Sequence, residues 1–318
     1  MMHYCRKYIN GSQKKVILKA VLVMLLWGSL FPCIKLGYKT FQTDTAFFPN
    51  LLLFAGIRFL IGGGAITAYC AAKRKPLKVS GAAHRLRILS VGIFAVVLHY
   101  SCTYIGLTMT DSSETALLKQ LGVIFFICFS FLFFNEDKFS IQKLLGAVFG
   151  LAGIVVLNTE SLNFSFGLGE VLIIAASVCT VIANISCKRL TAEVDAVVVT
   201  GYSQLLGGIV LTVIGLAFGG SIGSLSAAGA GVFAYICMAS IFGYCIWYSL
   251  VGENDLSKLF VIKFLEPLFA ALCGAILLGE NIFNVRYLVA FVLVLGAVYF
   301  SNRPEKYAKQ TEPRAVRQ

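Results

Sequence analysis

Arg58, Lys119, Lys263 and Glu266 each interrupt an otherwise apolar run of this 318-residue sequence. The three cations can hold a carboxylate or phosphate group, Arg58 through its forked guanidinium and the lysines as point charges. In FVIKFLEPLF (260–269), Lys263 and Glu266 lie three positions apart, about 60° around a helix, and can pair. Glu266 can instead carry a proton if desolvation favours its neutral form, whereas an ion pair would favour the charged one. Pro267 has no N–H, so a helix through it leaves the carbonyl of Lys263 without its partner, and Pro32 does the same to Gly28. A kink is expected at each proline. Trp27 and Tyr100 offer aromatic faces that can stack on a ring or fill a helix interface, and His99 adds a polar group beside them.

Depth gives these residues weight. Arg58 lies about ten residues, or roughly 15 Å, into its segment, too deep to reach water easily. An arginine at a helix centre in a bilayer costs about 2.5–3.5 kcal/mol on the insertion scale, so it should face the interior of a bundle. There it either contacts an anion or ties helices together. Lys119 and Lys263 lie six residues into their segments, about 9 Å, where snorkelling competes with a role on an interior path. Catalytic chemistry is less well supplied. The three histidines, at 3, 84 and 99, have no metal-ligating partner at helical spacing, and neither a GxSxG elbow nor a phosphate-binding loop occurs. No metal or cofactor is expected. The ten cysteines are scattered without a CxxC and read as small buried hydrophobes.

The elements that must position these residues are membrane helices. The chain is 58% hydrophobic and 13% charged, against about a quarter charged in soluble domains. Its net charge of +12 carries no nucleic-acid motif and follows the positive-inside rule, so nucleic acid is not an expected partner. Ten apolar segments qualify as spans: 16–38, 48–70, 88–107, 113–134, 140–157, 166–186, 195–218, 229–250, 257–279 and 283–301. With both termini cytoplasmic, 21 of the 27 lysines and arginines fall on the inner side, three (Lys35, Lys39, Arg286) outside, and three within spans.

An internal repeat organises the spans. LLKQLGVIFFICFSFLFFNEDKFS and VIKFLEPLFAALCGAILLGENIFN share an offset of 144 that pairs Lys119 with Lys263 and Glu136 with Glu280. Leu121 with Leu265, Phe125 with Phe269 and Phe139 with Phe283 match as well. Five spans per copy make the second copy upside down. The expected fold is therefore an all-α integral membrane protein of ten transmembrane helices in two inverted five-helix repeats. The divisions are an N-terminal tail at 1–15, repeats at 16–157 and 166–301, and a basic tail at 302–318. Glu136 and Glu280 are read as interfacial caps, and GAVFG (146–150) with Gly153 as a small-residue packing surface.

These features resemble the EamA-like branch of the drug/metabolite transporter superfamily across nearly the whole chain. The resemblance rests on LWGSLFPCIKLG with Trp27 and Gly28, IRFLIGG with Arg58, and HYSCTYIGLTMTDSSETALLKQL. It rests above all on FLEPLFAALCGAILLGE; in helix 4, Val123 stands where many members carry proline. The resemblance implies a secondary transporter, with export the expected direction, for small organic metabolites such as amino acids. Trp27, Arg58, Tyr100, Lys119, Lys263 and Glu266 are the expected solute-binding residues. The basic lining favours a carboxylate- or phosphate-bearing solute, with Glu114 and Glu266 placed to offset it. The expected partners are a small-molecule solute, the lipid bilayer, protons as a coupling ion and a second copy in a homodimer, and the expected location is a bacterial plasma or inner membrane. The alternative is an integral-membrane enzyme acting on lipid or polyprenyl head groups; a receptor that binds without flux is a third.

Overall fold

A backbone in hydrocarbon must satisfy its own hydrogen bonds, and an α-helix does so within one segment. The apolar runs fold accordingly. The computed structural model describes residues 2–77, 79, 81–107, 109–110, 112–134, 140–157, 167–224, 226–279 and 285–301, with backbone alone at 2–12, 112–114, 116–117 and 157. Glu136 and Glu280 lie outside the described residues, as does the side chain of Glu114. The described helices are α1 (Met2–Phe41), α2 (Phe48–Ala72), α3 (Ala82–Gly92), α4 (His99–Leu107), α5 (Ser112–Phe129) and α6 (Ile141–Leu157). They continue with α7 (Leu168–Thr191), α8 (Ala196–Ala217), α9 (Ala227–Glu253), α10 (Leu256–Ile262), α11 (Leu265–Leu278) and α12 (Val285–Ser301). A π-helical turn, Ile93–Leu98, joins α3 to α4.

Seven stretches are long and apolar enough to cross a membrane: Gln13–Phe41, Phe48–Ala72, Ala82–Leu107, Leu168–Thr191, Ala196–Ala217, Ala227–Glu253 and Leu256–Leu278. Three shorter apolar helices, Leu118–Leu132, Ile141–Val156 and Val285–Ser301, accompany them. The chain is a multi-pass membrane protein.

Glycines let two helix pairs meet backbone to backbone. On α2 and α8, Gly56 faces Thr212, Leu60 faces Gly208 and Gly63 faces Leu205, so the numbers rise on one helix as they fall on the other. These two helices run antiparallel. The same holds for α6 and α12, where Gly146 meets Ser301 and Gly153 meets Val294. The GAVFG surface thus packs within the molecule, with Gly150 receiving the ring of Phe264.

The structure corrects one local expectation. The segment 257–279 breaks ahead of Pro267, between Ile262 and Leu265. The Glu266 N–H donates to the Lys263 carbonyl at 3.0 Å, so that carbonyl is not free. Pro267 then falls in the first turn of α11, where a missing N–H costs nothing. Pro32 lies inside α1, which is helical from Met2 to Phe41.

Charged residues close the helix ends. Asp195 caps α8 by accepting from the Val197 and Val198 N–H groups at 2.9 and 3.3 Å, and pairs with Lys75 at 2.7 Å. Asp255 caps α10 through the Ser257 N–H at 3.2 Å and meets Lys143 of α6 at 3.1 Å. Burial opposes the charged form of Asp255, but Lys143, the Ser257 hydroxyl and Lys258 outweigh it and hold the carboxyl below its ordinary pKa.

Candidate functional site

A cavity of about 380 Å³ lies among α1, α2, α4, α5, α7, α9 and the α10–α11 break. Trp27, Arg58, Tyr100, Lys119, Lys263 and Glu266 all sit on its wall, so the structure brings the six expected site residues together. Pro32 and Pro267 are not part of the lining.

Arg58 is 1% exposed and donates from Nη2 to the Tyr100 hydroxyl at 2.9 Å. Its guanidinium carbon lies 4.3 Å from the Phe59 ring centre and 5.1 Å from that of Tyr100. Lys263 is set among the rings of Phe260, Trp27 and Trp247, at 5.3, 5.6 and 5.6 Å. The expected Lys263–Glu266 ion pair is not formed: among the described residues, no carboxylate oxygen comes within 4 Å of Arg58, Lys119 or Lys263. Lys119 instead lies 5.7 Å from the ring of Phe31. Aromatic faces thus stand where counter-ions were expected.

The helix around Lys119 runs on unbroken but is bonded from the side by α7. Ser177 of α7 donates its hydroxyl to the Lys119 carbonyl at 2.7 Å and accepts from the Gly122 N–H at 2.8 Å. A side chain at 122 would occupy the place of that hydroxyl. On α1, Gly28 lets the Glu266 carbonyl and Phe269 of α11 approach, which sets the adjacent Trp27 into the cavity. Gly243 makes room for the Trp27 indole, which packs at 5.1 Å on Tyr244 and 5.4 Å on Trp247.

Further residues join the wall: His99, expected as a polar neighbour of Tyr100, and Thr103, Gln120, Asn184 and Trp247, which the sequence did not single out. His99 Nδ1 is 3.1 Å from the Ala176 carbonyl and 2.9 Å from the Thr180 hydroxyl. A carbonyl only accepts, so Nδ1 carries the hydrogen. Trp247 is buried and donates to the Asn184 Oδ1 at 2.7 Å. Several wall atoms are buried with no protein partner: Trp27 Nε1, Arg58 Nε, Thr103 Oγ1 and Gln120 Oε1. Buried polar groups are rarely left so, and a cluster of them around one cavity marks a place for polar ligand atoms. The described residues contain no group of three or more His, Cys, Asp or Glu that could hold a metal.

The sequence profile of the EamA-like transporter family matches residues 14–159 and again residues 167–302. The chain belongs to the EamA-like transporter family. Among relatives, the uncharacterized transporter YoaV of Bacillus subtilis (strain 168) is 23% identical over 90% of this chain and 96% of its own length. The uncharacterized inner membrane transporter YedA of Escherichia coli (strain K12) is 25% identical over 86% of each chain. The WAT1-related chloroplastic protein At3g02690 of Arabidopsis thaliana is 27% identical over 79% of this chain and 62% of its own length. A solved crystal structure superposes with a TM-score of 0.75 at 19% identity, over 91% of this chain and 96% of that one, and shares the fold. The EamA family and the relatives with that name are transporters, not enzymes, which places this chain's activity in the movement of small solutes across a membrane.

Proposed function

We propose that this EamA-family chain is a secondary transporter that exports small organic metabolites, such as amino acids, from a bacterial cell by alternating access. The three shorter apolar helices cross the membrane with the seven longer spans, giving ten in two inverted five-helix repeats, 16–157 and 166–301. Both termini are cytoplasmic, and the tails are 1–15 and 302–318. The antiparallel packing of α2 on α8 and of α6 on α12, together with the double match to the family profile, supports this arrangement.

The observation that carries the reading is the cavity wall: four cations (Lys35, Arg58, Lys119 and Lys263) and several orphaned polar atoms around about 380 Å³ among apolar helices. Irregular backbone at that depth is tolerated where it lines such a cavity, as at Lys263–Glu266. With the termini inside, the mouth beside Tyr38, Thr45 and Leu107 faces outward. The inner end is closed by Phe126 against Phe260 at 4.7 Å, the Lys143–Asp255 pair, and Lys188 donating to the Asn254 carbonyl at 2.7 Å. Opening that end while the mouth closes would complete a transport cycle. Glu266 is the residue through which a proton would be coupled.

The test is flux. Purified protein in sealed vesicles, preloaded with a metabolite panel, should show counterflow of at least one solute, and Arg58→Ala should lower it about 10- to 100-fold. Absence of counterflow across amino acids, organic acids and sugars would sink the transporter reading.

A further inference from the structure

The offset of 144 reaches further than the lysines. It carries Tyr100 onto Tyr244 and Tyr104 onto Tyr248, and both Tyr-x-x-x-Tyr pairs line the cavity with Lys119 and Lys263. It also carries Lys119–Gly122, where Ser177 bonds to the α5 backbone, onto Lys263–Glu266, where the chain passes from α10 to α11. The hydroxyls of Tyr100 and Tyr244 are 3.4 Å apart. When two copies are related by a two-fold rotation, equivalent atoms can touch one another only at the axis. The helix pairs agree. The antiparallel register of α2 on α8 meets its own equivalent at Gly62 and Leu206, and that of α6 on α12 near Gly150 and Val294. Each of these pairs also differs by 144.

We propose that the transported solute is an organic anion whose carboxylate or phosphate is held on this internal two-fold axis. Arg58 and the Tyr100–Tyr244 hydroxyl pair hold it, and Lys119 and Lys263 flank it toward opposite faces of the membrane. The proposal rests on the transporter reading and names its substrate class. Arg58 already donates to Tyr100 at 2.9 Å, while its Nε is buried without a protein partner. Lys263 lies over Trp27 and Lys119 over Phe31, two α1 residues about one turn or 6 Å apart. Against Lys35, Arg58, Lys119 and Lys263 the lining has the single described carboxylate of Glu266, which forms no ion pair with Arg58, Lys119 or Lys263. An anion offsets this charge as water is excluded, whereas a cation adds to it. The aromatic residues Trp27, Trp247 and Phe260 around Lys263 give the solute's body an apolar seat. Because the lysines are equivalent, one gives access to the axis from outside and its mate does so from inside after the halves exchange conformations.

The experiment uses the full purified chain and four probes of one shape: 3-phenylpropanoate, phenyl phosphate, 3-phenylpropanol and 3-phenylpropylamine. Thermal unfolding is followed up to about 10 mM probe, enough to report millimolar binding. At least one anion should raise the midpoint, and the amine and alcohol should not. Whichever anion acts identifies carboxylate or phosphate as the held group. Arg58→Gln should weaken the anion's apparent affinity about 10- to 100-fold, as expected for a charge-assisted hydrogen bond. Lys119→Gln and Lys263→Gln should each weaken it about tenfold and by similar factors. Tyr100→Phe and Tyr244→Phe, which keep the rings, give a milder pair that cannot be dismissed as failure to fold. No shift with either anion, an equal shift with the amine, or unchanged anion affinity in both lysine variants would overturn the proposal. Vesicle flux of neutral or cationic solutes alone would overturn it while leaving the transporter reading intact. An anion-specific shift without flux of any solute would do the reverse.

Discussion

Two stretches carry a cavity lysine, 119–122 on α5 and 263–266 at the α10–α11 break, and each solves the same backbone problem differently. At 263 the helix stops, tightens into a short turn, and restarts with Pro267 in its first turn. At 119 the helix runs on, but a serine from α7 is inserted between the carbonyl of Lys119 and the N–H of Gly122. One solution is local and the other is borrowed from a neighbouring helix. The position of the lysine is shared; the backbone chemistry beside it is not. The Lys119 side therefore depends on how α7 sits, while the Lys263 side depends on its own turn and on the cap at Asp255.

This contrast can be broken by substitution, and the largest effect is expected at Gly122. Gly122→Leu puts a side chain where the Ser177 hydroxyl lies and should destabilise the protein by about 3 kcal/mol or more, read as loss of monodisperse protein in detergent. Arg58→Ala, at the point between the two stretches, should lower flux about 10- to 100-fold with the protein still folded. A variant of wild-type flux would remove Arg58 from the site. Asp255→Ala removes the α10 cap and the carboxylate facing Lys143, and should cost about 1–2 kcal/mol in thermal unfolding. The folded carboxyl titrates below the ordinary value of about 4, so its contribution is present above that pH and is lost as pH falls through the lower folded value. The gap between wild type and Asp255→Ala should accordingly close in acid and be unchanged from pH 6 to 8. Ser177→Ala should cost about 1 kcal/mol and lower flux, since the Lys119 carbonyl and the Gly122 N–H lose their bridge. Pro267→Ala should be nearly silent, within about 0.5 kcal/mol, because the break lies upstream of it. A large loss there would restore the kink at Pro267.

The site was legible where charge contrasts with its surroundings. Arg58, Lys119, Lys263 and Glu266 stand out because a bilayer-length apolar run contains almost nothing else that is charged. Trp27 and Tyr100 could be named because they lie mid-helix, away from the interfaces that usually hold them. The Tyr100–Tyr244 relation was present in the sequence at the same offset as the lysines, but tyrosine is common here, with 13 in the chain, and the match drew no attention. Gln120, Thr103 and Asn184 gave no signal, since an uncharged polar residue on a helix is as often satisfied locally as aimed into a cavity. The break at 262–265 was misplaced because proline announces a missing N–H, whereas a tight turn three residues earlier needs no particular residue. For the helices, hydropathy located the apolar segments well and the ends less well. The merged α1 and the π turn within 82–107 follow from backbone geometry that hydropathy does not record.

That π turn has a consequence in azimuth. It holds one residue more than an α turn would over Ile93–Leu98, and each residue on a helix is worth about 100° of rotation. Everything from His99 to Leu107 is therefore phased by that single surplus residue. Closing that turn as α with every residue kept would turn Tyr100 away from Tyr244 and Arg58 by about a quarter of a revolution, whereas deleting Val97 would remove the surplus and leave Tyr100 in phase. The alignment of the two tyrosines is kept by counting residues, several positions before either hydroxyl is reached.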